Sequence, residues 1–196
     1  MKINIEESSP EALRFTLSGI TAEFANAVRR IGMTGVPCFA IDTVTFYDNT
    51  SAIFDEYIAH RIGLIPISTP LKGYDEKDQI IFSLQADGPG IVYSGDLKSS
   101  DKAVKVANDK IPIIKLADNQ SIRIEGKAVM GIGSTSAKFQ PGLVTYKAVN
   151  IKPNADSDSY DFYVESFGQM PALEILKKAI DIINKSLKEV NAQIGK

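Results

Sequence analysis

Few side chains in this sequence are equipped for covalent or acid–base chemistry. His60 is the single histidine and Cys38 the single cysteine. His60 stands beside Arg61 at the end of a short helical pattern, and no serine or cysteine nucleophile motif accompanies it. A lone histidine of that kind reads as a structural or interface residue rather than a base. Cys38 lies in the apolar run Val36–Ile41, where a thiol behaves as a small buried hydrophobe and not as a reactive thiolate. Gly131-Ile132-Gly133-Ser134-Thr135-Ser136-Ala137-Lys138 has the composition of a phosphate loop. It lacks the G-x-x-x-x-G-K-[ST] spacing, and no helical pattern follows it. Asp156-Ser157-Asp158 lacks the ligand spacing of a calcium loop. Asp75-Glu76-Lys77-Asp78 reads as a solvated loop. The expectation is a chain with no catalytic residues and no metal site.

Composition narrows the classes further. The chain has 196 residues, enough for one large domain or two small ones. Its formal net charge is −2, with both signs spread along the length and no basic stripe. A protein that grips nucleic acid by itself carries such a stripe, so no direct nucleic-acid binding is expected. One cysteine allows no internal disulfide. The alternating start Met1-Lys2-Ile3-Asn4-Ile5-Glu6 is not a signal peptide, and no apolar run approaches the ~18 residues of a membrane span. A soluble, cytoplasmic protein without membrane contact is expected.

The elements that would position functional side chains read as follows. Residues 2–6 and 12–18 alternate as a hairpin. Thr21 caps a helix from Ala22 to about Met33, with Phe24, Ala27, Val28 and Ile31 on one face and Asn26, Arg29 and Arg30 off it. Val36–Tyr47 is β-rich. Ser51 opens a short helix to about Arg61, with Ile53, Phe54, Tyr57 and Ile58 expected inward. Between Ser68 and Pro153 helical periodicity disappears, and short strands are expected over 80–86, 91–93, 113–116, 121–129 and 144–149. Asn154–Ser159 reads as a linker, and Tyr160–Phe167 as a further strand.

Met170–Ile194 then reads as one long helix, with Pro171 in the first turn and Gly195 as its cap. Ala172, Leu176, Ala179, Ile183, Leu187, Val190 and Ile194 recur at steps of three and four. Ile175 and Ile182 flank that stripe on one side, Leu173 and Ile180 on the other. The apolar arc spans roughly 180°, wider than the ~100° that one core requires. Such a helix either sinks deeply into its own domain or serves a second chain, and the arc alone leaves both open. The fold class expected is α+β. The two ends, 1–40 and 160–196, form a discontinuous domain of a sheet and two amphipathic helices, and residues 41–159 form an inserted β-rich domain.

Longer phrases add a resemblance. Ile20–Ile31 (ITAEFANAVRRI), followed by Val36–Asp42 (VPCFAID), resembles the first helix of the alpha-like subunits of cellular RNA polymerases. Asp55–Ile67 (DEYIAHRIGLIPI) is similar to the second signature of the archaeal and eukaryotic branch. Val92–Leu97, Ala137–Pro141 and Phe162–Ser166 match further phrases in the family's order. The best match is the archaeal D type, related to the bacterial alpha amino-terminal region and the third-largest eukaryotic subunit.

The resemblance implies that the two ends form a dimerisation domain for the small archaeal subunit L, with helices of both chains in a shared core. That favours an intermolecular role for the last helix. The expected L-contacting residues are Phe24, Val28, Ile31, Ile175, Ala179, Ile182 and Ile183. Arg29, Arg30, His60, Arg61 and Lys138 are expected to contact a large subunit. The implied function is a non-catalytic assembly platform that recruits subunits N and P, then B and A. The family's magnesium centre lies in the large subunits. Many relatives hold an iron–sulfur cluster in a cysteine-rich module near the return to the dimerisation domain; here that place holds Asn154–Ser159 without cysteine, so no cofactor is expected. Ser136 stands where relatives often carry histidine.

Overall fold

The computed structural model describes residues 1–75, 77–149 and 158–194. They fall into two compact units. One comprises Met1–Pro37, Ile132–Ser134 and Gln140–Lys196; the other comprises Cys38–Gly131 and Thr135–Phe139. The fold is α+β, with antiparallel sheets in both units.

The first unit is a four-stranded sheet carrying two helices. Strands β1 (Lys2–Ser8) and β2 (Ala12–Ser18) form the expected hairpin. β10 (Ser159–Ser166) pairs with β2, and β9 (Gly142–Val149) pairs with β10, giving the order β1-β2-β10-β9. Residues directly opposite share a face. Ile5, Phe15, Phe162 and Tyr146 therefore line up across the sheet, as do Ile3, Leu17, Tyr160 and Ala148. Phe15 and Phe162 stack with ring centroids 4.9 Å apart.

Strand β9 corrects the sequence expectation, which grouped 144–149 with the insert. Alternation identifies a strand but not its neighbours. Eight cross-strand pairs with β10, from Ser159↔Val149 to Ser166↔Gly142, tie it to the terminal sheet instead.

Helix α1 (Ala22–Thr34) follows a turn through Gly19, whose φ of +75° suits glycine. The Thr21 hydroxyl accepts from the Phe24 amide at 3.4 Å, the N-cap bond expected from sequence. Its buried face is Ala25, Val28 and Gly32, rotated from the expected one; Phe24, Ala27 and Ile31 are half-buried. The reason is steric. At Gly32 an added Cβ would lie 2.8 Å from Val144 Cγ2, so the absence of a side chain lets α1 sit close on β9.

Helix α3 (Ala172–Ile194) is anchored at its start by the Ala172 amide, which donates to Pro10 O at 2.9 Å. The cap expected at Gly195 lies outside the described residues, as does most of the expected linker.

The second unit is built on a sheet of order β3-β8-β4-β6, from Cys38–Asn49, Ser121–Gly131, Gln79–Asp87 and Lys98–Ser99. A two-stranded ribbon of β5 (Gly90–Tyr93) and β7 (Pro112–Leu116) accompanies it. The core gathers Phe39, Ile41, Phe82, Leu84, Ile122 and Ile124 from the sheet with Ile58 and Ile62 from helix α2 (Asp55–Gly63).

Helix α2 starts four residues later than Ser51. Asn49 and Ser51 instead form a side-chain turn, with Ser51 Oγ donating to Asn49 Oδ1 at 2.6 Å. Ile53 and Phe54 therefore precede the helix, whose inward face runs through Ile58 and Ile62. Ile58 is buried as expected, but Ile53, Phe54 and Tyr57, expected inward, are exposed. Ile62 takes the second inward position, one turn after Ile58.

Candidate partner-docking surfaces

The geometry of the first unit divides the long apolar stripe of α3. Ala172, Ile175 and Ala179 are buried against their own chain. Leu176, Ile180, Ile182 and Ile183 are half-buried. Beyond them every side chain from Asn184 to Ile194 is exposed, with Leu187 at 56 %, Val190 at 52 % and Ile194 at 78 %.

Three of the residues expected at a partner are therefore corrected. Val28, Ile175 and Ala179 already sit in the unit's own core, because α1 and α3 pack on each other and on the sheet. Phe24, Ile31, Ile182 and Ile183 remain half-buried at the rim of that core. Leu187, Val190 and Ile194 lie in the periodic stripe of the sequence but outside the residues expected at a partner, and they are exposed. Ile3 and Ile5 are exposed as well. The register puts both on the face of Leu17 and Phe15, yet they are exposed on edge strand β1, which among the described residues pairs only with β2. Alternation flags such residues as core; sheet order shows that they sit at an edge, where the described residues leave them exposed.

The expected arginines differ in environment. Arg29 is half-buried and donates from Nε and Nη2 to Asn26 Oδ1, at 3.2 and 3.0 Å. That bond holds its guanidinium along the helix. Arg30 is exposed and makes no ion pair among the described residues.

In the second unit, His60 and Arg61 are exposed at the end of α2. Arg61 Nη2 donates to Pro112 O at 2.5 Å, bracing the helix end against β7. Lys138 is engaged within its own unit. Its Nζ lies 2.6 Å from Asp42 Oδ1 and 5.5 Å from the Phe139 ring centre. The same turn is fastened by Cys38 Sγ, which donates to Phe139 O at 3.0 Å. Cys38 is fully buried, as its apolar neighbours predict. The glycine-containing stretch Gly131–Ser136 closes on a single 3-10 turn, Ala137–Phe139, with no α-helix N-terminus to receive a phosphate.

Among the described residues no cluster of His, Cys, Asp and Glu is placed to hold a metal. Among them, too, no helix is long and apolar enough to cross a membrane.

Comparison with known proteins gives these surfaces a setting. The model of the RNA polymerase Rpb3/RpoA insert domain matches residues 41–145, from within β3 to within β9. DNA-directed RNA polymerase subunit Rpo3 of Methanocaldococcus jannaschii is 45 % identical over 171 residues, covering 87 % of this chain and 84 % of the relative. The Rpo3 subunits of Pyrococcus furiosus and Thermococcus kodakarensis are 46 % and 48 % identical, covering 77 % and 75 % of the chain. The chain spans only 60 % and 59 % of the length of those two relatives. On the extent of the match to the Methanocaldococcus protein and of the insert-domain match, the chain belongs to the Rpo3 family, the archaeal alpha-like subunits of RNA polymerase.

Proposed function

We propose that this chain is a non-catalytic assembly-platform subunit of the archaeal DNA-dependent RNA polymerase, acting in the cytoplasm in transcription. It pairs with the small subunit L through its first unit and recruits N, P and the large subunits B and A. The observation that carries this reading is the exposed end of α3. Leu187, Val190 and Ile194 continue the buried seam of Ile175 and Ala179 into solvent. Burying one such side chain contributes about 1.5–3 kcal/mol. A second chain that covers them, with Phe24, Ile31, Ile182, Ile183 and the β1 residues Ile3 and Ile5 at its margin, gains several such terms at once. Val28, Ile175 and Ala179 support that surface from beneath.

Arg30, His60, Tyr57 on the exposed side of α2 and Phe54 just before that helix are read as contacts to the large subunits. Arg29, Arg61 and Lys138 act there by holding their elements in place. Arginine's planar fork suits directional pairing across an interface. Catalysis is assigned to other subunits, and no direct nucleic-acid contact is assigned to this one, since its charge is −2 overall with no basic stripe. A four-thiolate iron–sulfur cluster does not fit a chain with one cysteine that is buried and bonded to Phe139 O.

The test is co-expression with subunit L followed by native mass measurement. A 1:1 pair is expected, and a pull-down from archaeal lysate is expected to recover the other polymerase subunits. A stable monomer that ignores L refutes the pairing; a self-paired chain that excludes L makes it a homodimeric adaptor instead.

A further inference from the structure

The far end of α3 is a helix without tertiary support. The buried positions of α3 are Ala172, Ile175 and Ala179, and Ile183 is its last half-buried residue. From Asn184 to Ile194 every side chain is exposed. No side chain in that stretch makes a hydrogen bond or ion pair among the described residues.

Local sequence does not replace the missing packing. Asn184, Ser186, Val190 and Asn191 are weak helix formers. The last turn has no basic residue to complement the helix dipole. The segment is about three turns long and extends from an already folded half, where each added residue is close to neutral even for good helix formers, so weak formers leave it marginal. Its apolar residues, Leu187, Val190 and Ile194, lie at steps of three and four on one stripe, so a single apposed surface reaches all of them.

We propose that Asn184–Ile194 is a fold-on-pairing segment. In the unpaired chain it frays, and it becomes a lasting helix only when the partner's apolar surface closes over Leu187, Val190 and Ile194. This rests on the pairing proposed above and adds a control to it. The unpaired chain does not hold out a rigid greasy helix, and the free energy of pairing is reduced by the cost of ordering the segment. The proximal half, fixed by Ile175 and Ala179, stays folded throughout and supplies the template from which the distal half extends.

Amide hydrogen exchange tests this on the full chain, first alone at a dilution where native mass shows a monomer, then with subunit L. In the monomer, amides of 184–194 are expected to exchange at nearly unstructured rates while those of 175–183 are protected. In the pair, 184–194 is expected to slow by at least about tenfold. A second arm uses A192G, which lowers helix propensity at an exposed position on the face opposite the stripe and removes no stripe contact. It is expected to weaken pairing about three- to sixfold, because more ordering remains to be done on pairing. Protection of 184–194 in the monomer equal to that of 175–183, or an A192G variant with unchanged affinity, overturns the proposal. Absence of any pair with L strikes at the pairing itself and leaves the monomer measurement to judge the fraying.

Discussion

Lys138 and Asp42 meet at 2.6 Å, joining the Ala137–Phe139 turn to strand β3 within one unit. Lys138 is the more enclosed partner, with 20 % of its side chain exposed against 46 % for Asp42. The charge that resembles a free binding residue in the sequence is therefore spent internally. A pair this exposed contributes about 0.5–1 kcal/mol. A double-mutant cycle of Lys138→Ala and Asp42→Ala, read by urea unfolding, should return a coupling of that size, smaller in high salt.

The two halves of α3 should respond oppositely to the same substitution. Ile175→Asp buries an uncompensated charge in the core and should cost at least about 3 kcal/mol, read as lost soluble yield or a large fall in Tm. Val190→Asp sits in solvent and should leave the stability of the unpaired chain within about 0.5 kcal/mol. It should nevertheless weaken pairing with L by about 100-fold, measured by calorimetry or mass photometry. Normal pairing by this variant would remove α3 from the proposed interface.

The N-terminus of α1 should carry a measurable acid sensitivity. The Thr21 hydroxyl and the backbone amide of Glu23 hold the Glu23 carboxyl below its ordinary pKa, outweighing a small opposing effect of desolvation. A lowered folded-state pKa means that the charged form is favoured by folding. The contribution is thus complete above the ordinary glutamate range and is lost as pH falls through the lowered value. Glu23→Gln should flatten that part of the stability–pH curve. Thr21→Ala should cost about 1 kcal/mol at neutral pH and abolish most of the same pH dependence.

Gly142 should not tolerate a side chain. A Cβ there would run into the carbonyl oxygen of Glu165 on the paired strand β10 and approach Ile175 Cδ1 at 3.0 Å. A backbone oxygen cannot step aside without breaking the ladder. Gly142→Ala should destabilise the chain by about 2 kcal/mol or more in chemical denaturation. A neutral result would contradict the placement of β9 beside β10.

Sequence alone determined the existence of nearly every element. Alternation marks β2 at Ala12–Ser18, Thr21 marks the start of α1, and steps of three and four carry α3 to Ile194, because these signals depend only on near neighbours in the chain. Sequence also held the family phrases, and one cysteine with one histidine argued against a catalytic centre from composition. Tertiary structure decided what those elements face. The register put β9 in the terminal sheet, the Asn49–Ser51 turn delayed α2 and exposed Phe54 and Tyr57, and the close fit of Gly32 on Val144 rotated α1. It also split one continuous stripe into a buried seam at Ile175 and Ala179 and an open end at Leu187, Val190 and Ile194. Periodicity reports that a residue is apolar and on which side of its helix it lies. Whether its own chain is there to cover it depends on contacts between segments more than a hundred residues apart, which no local pattern encodes.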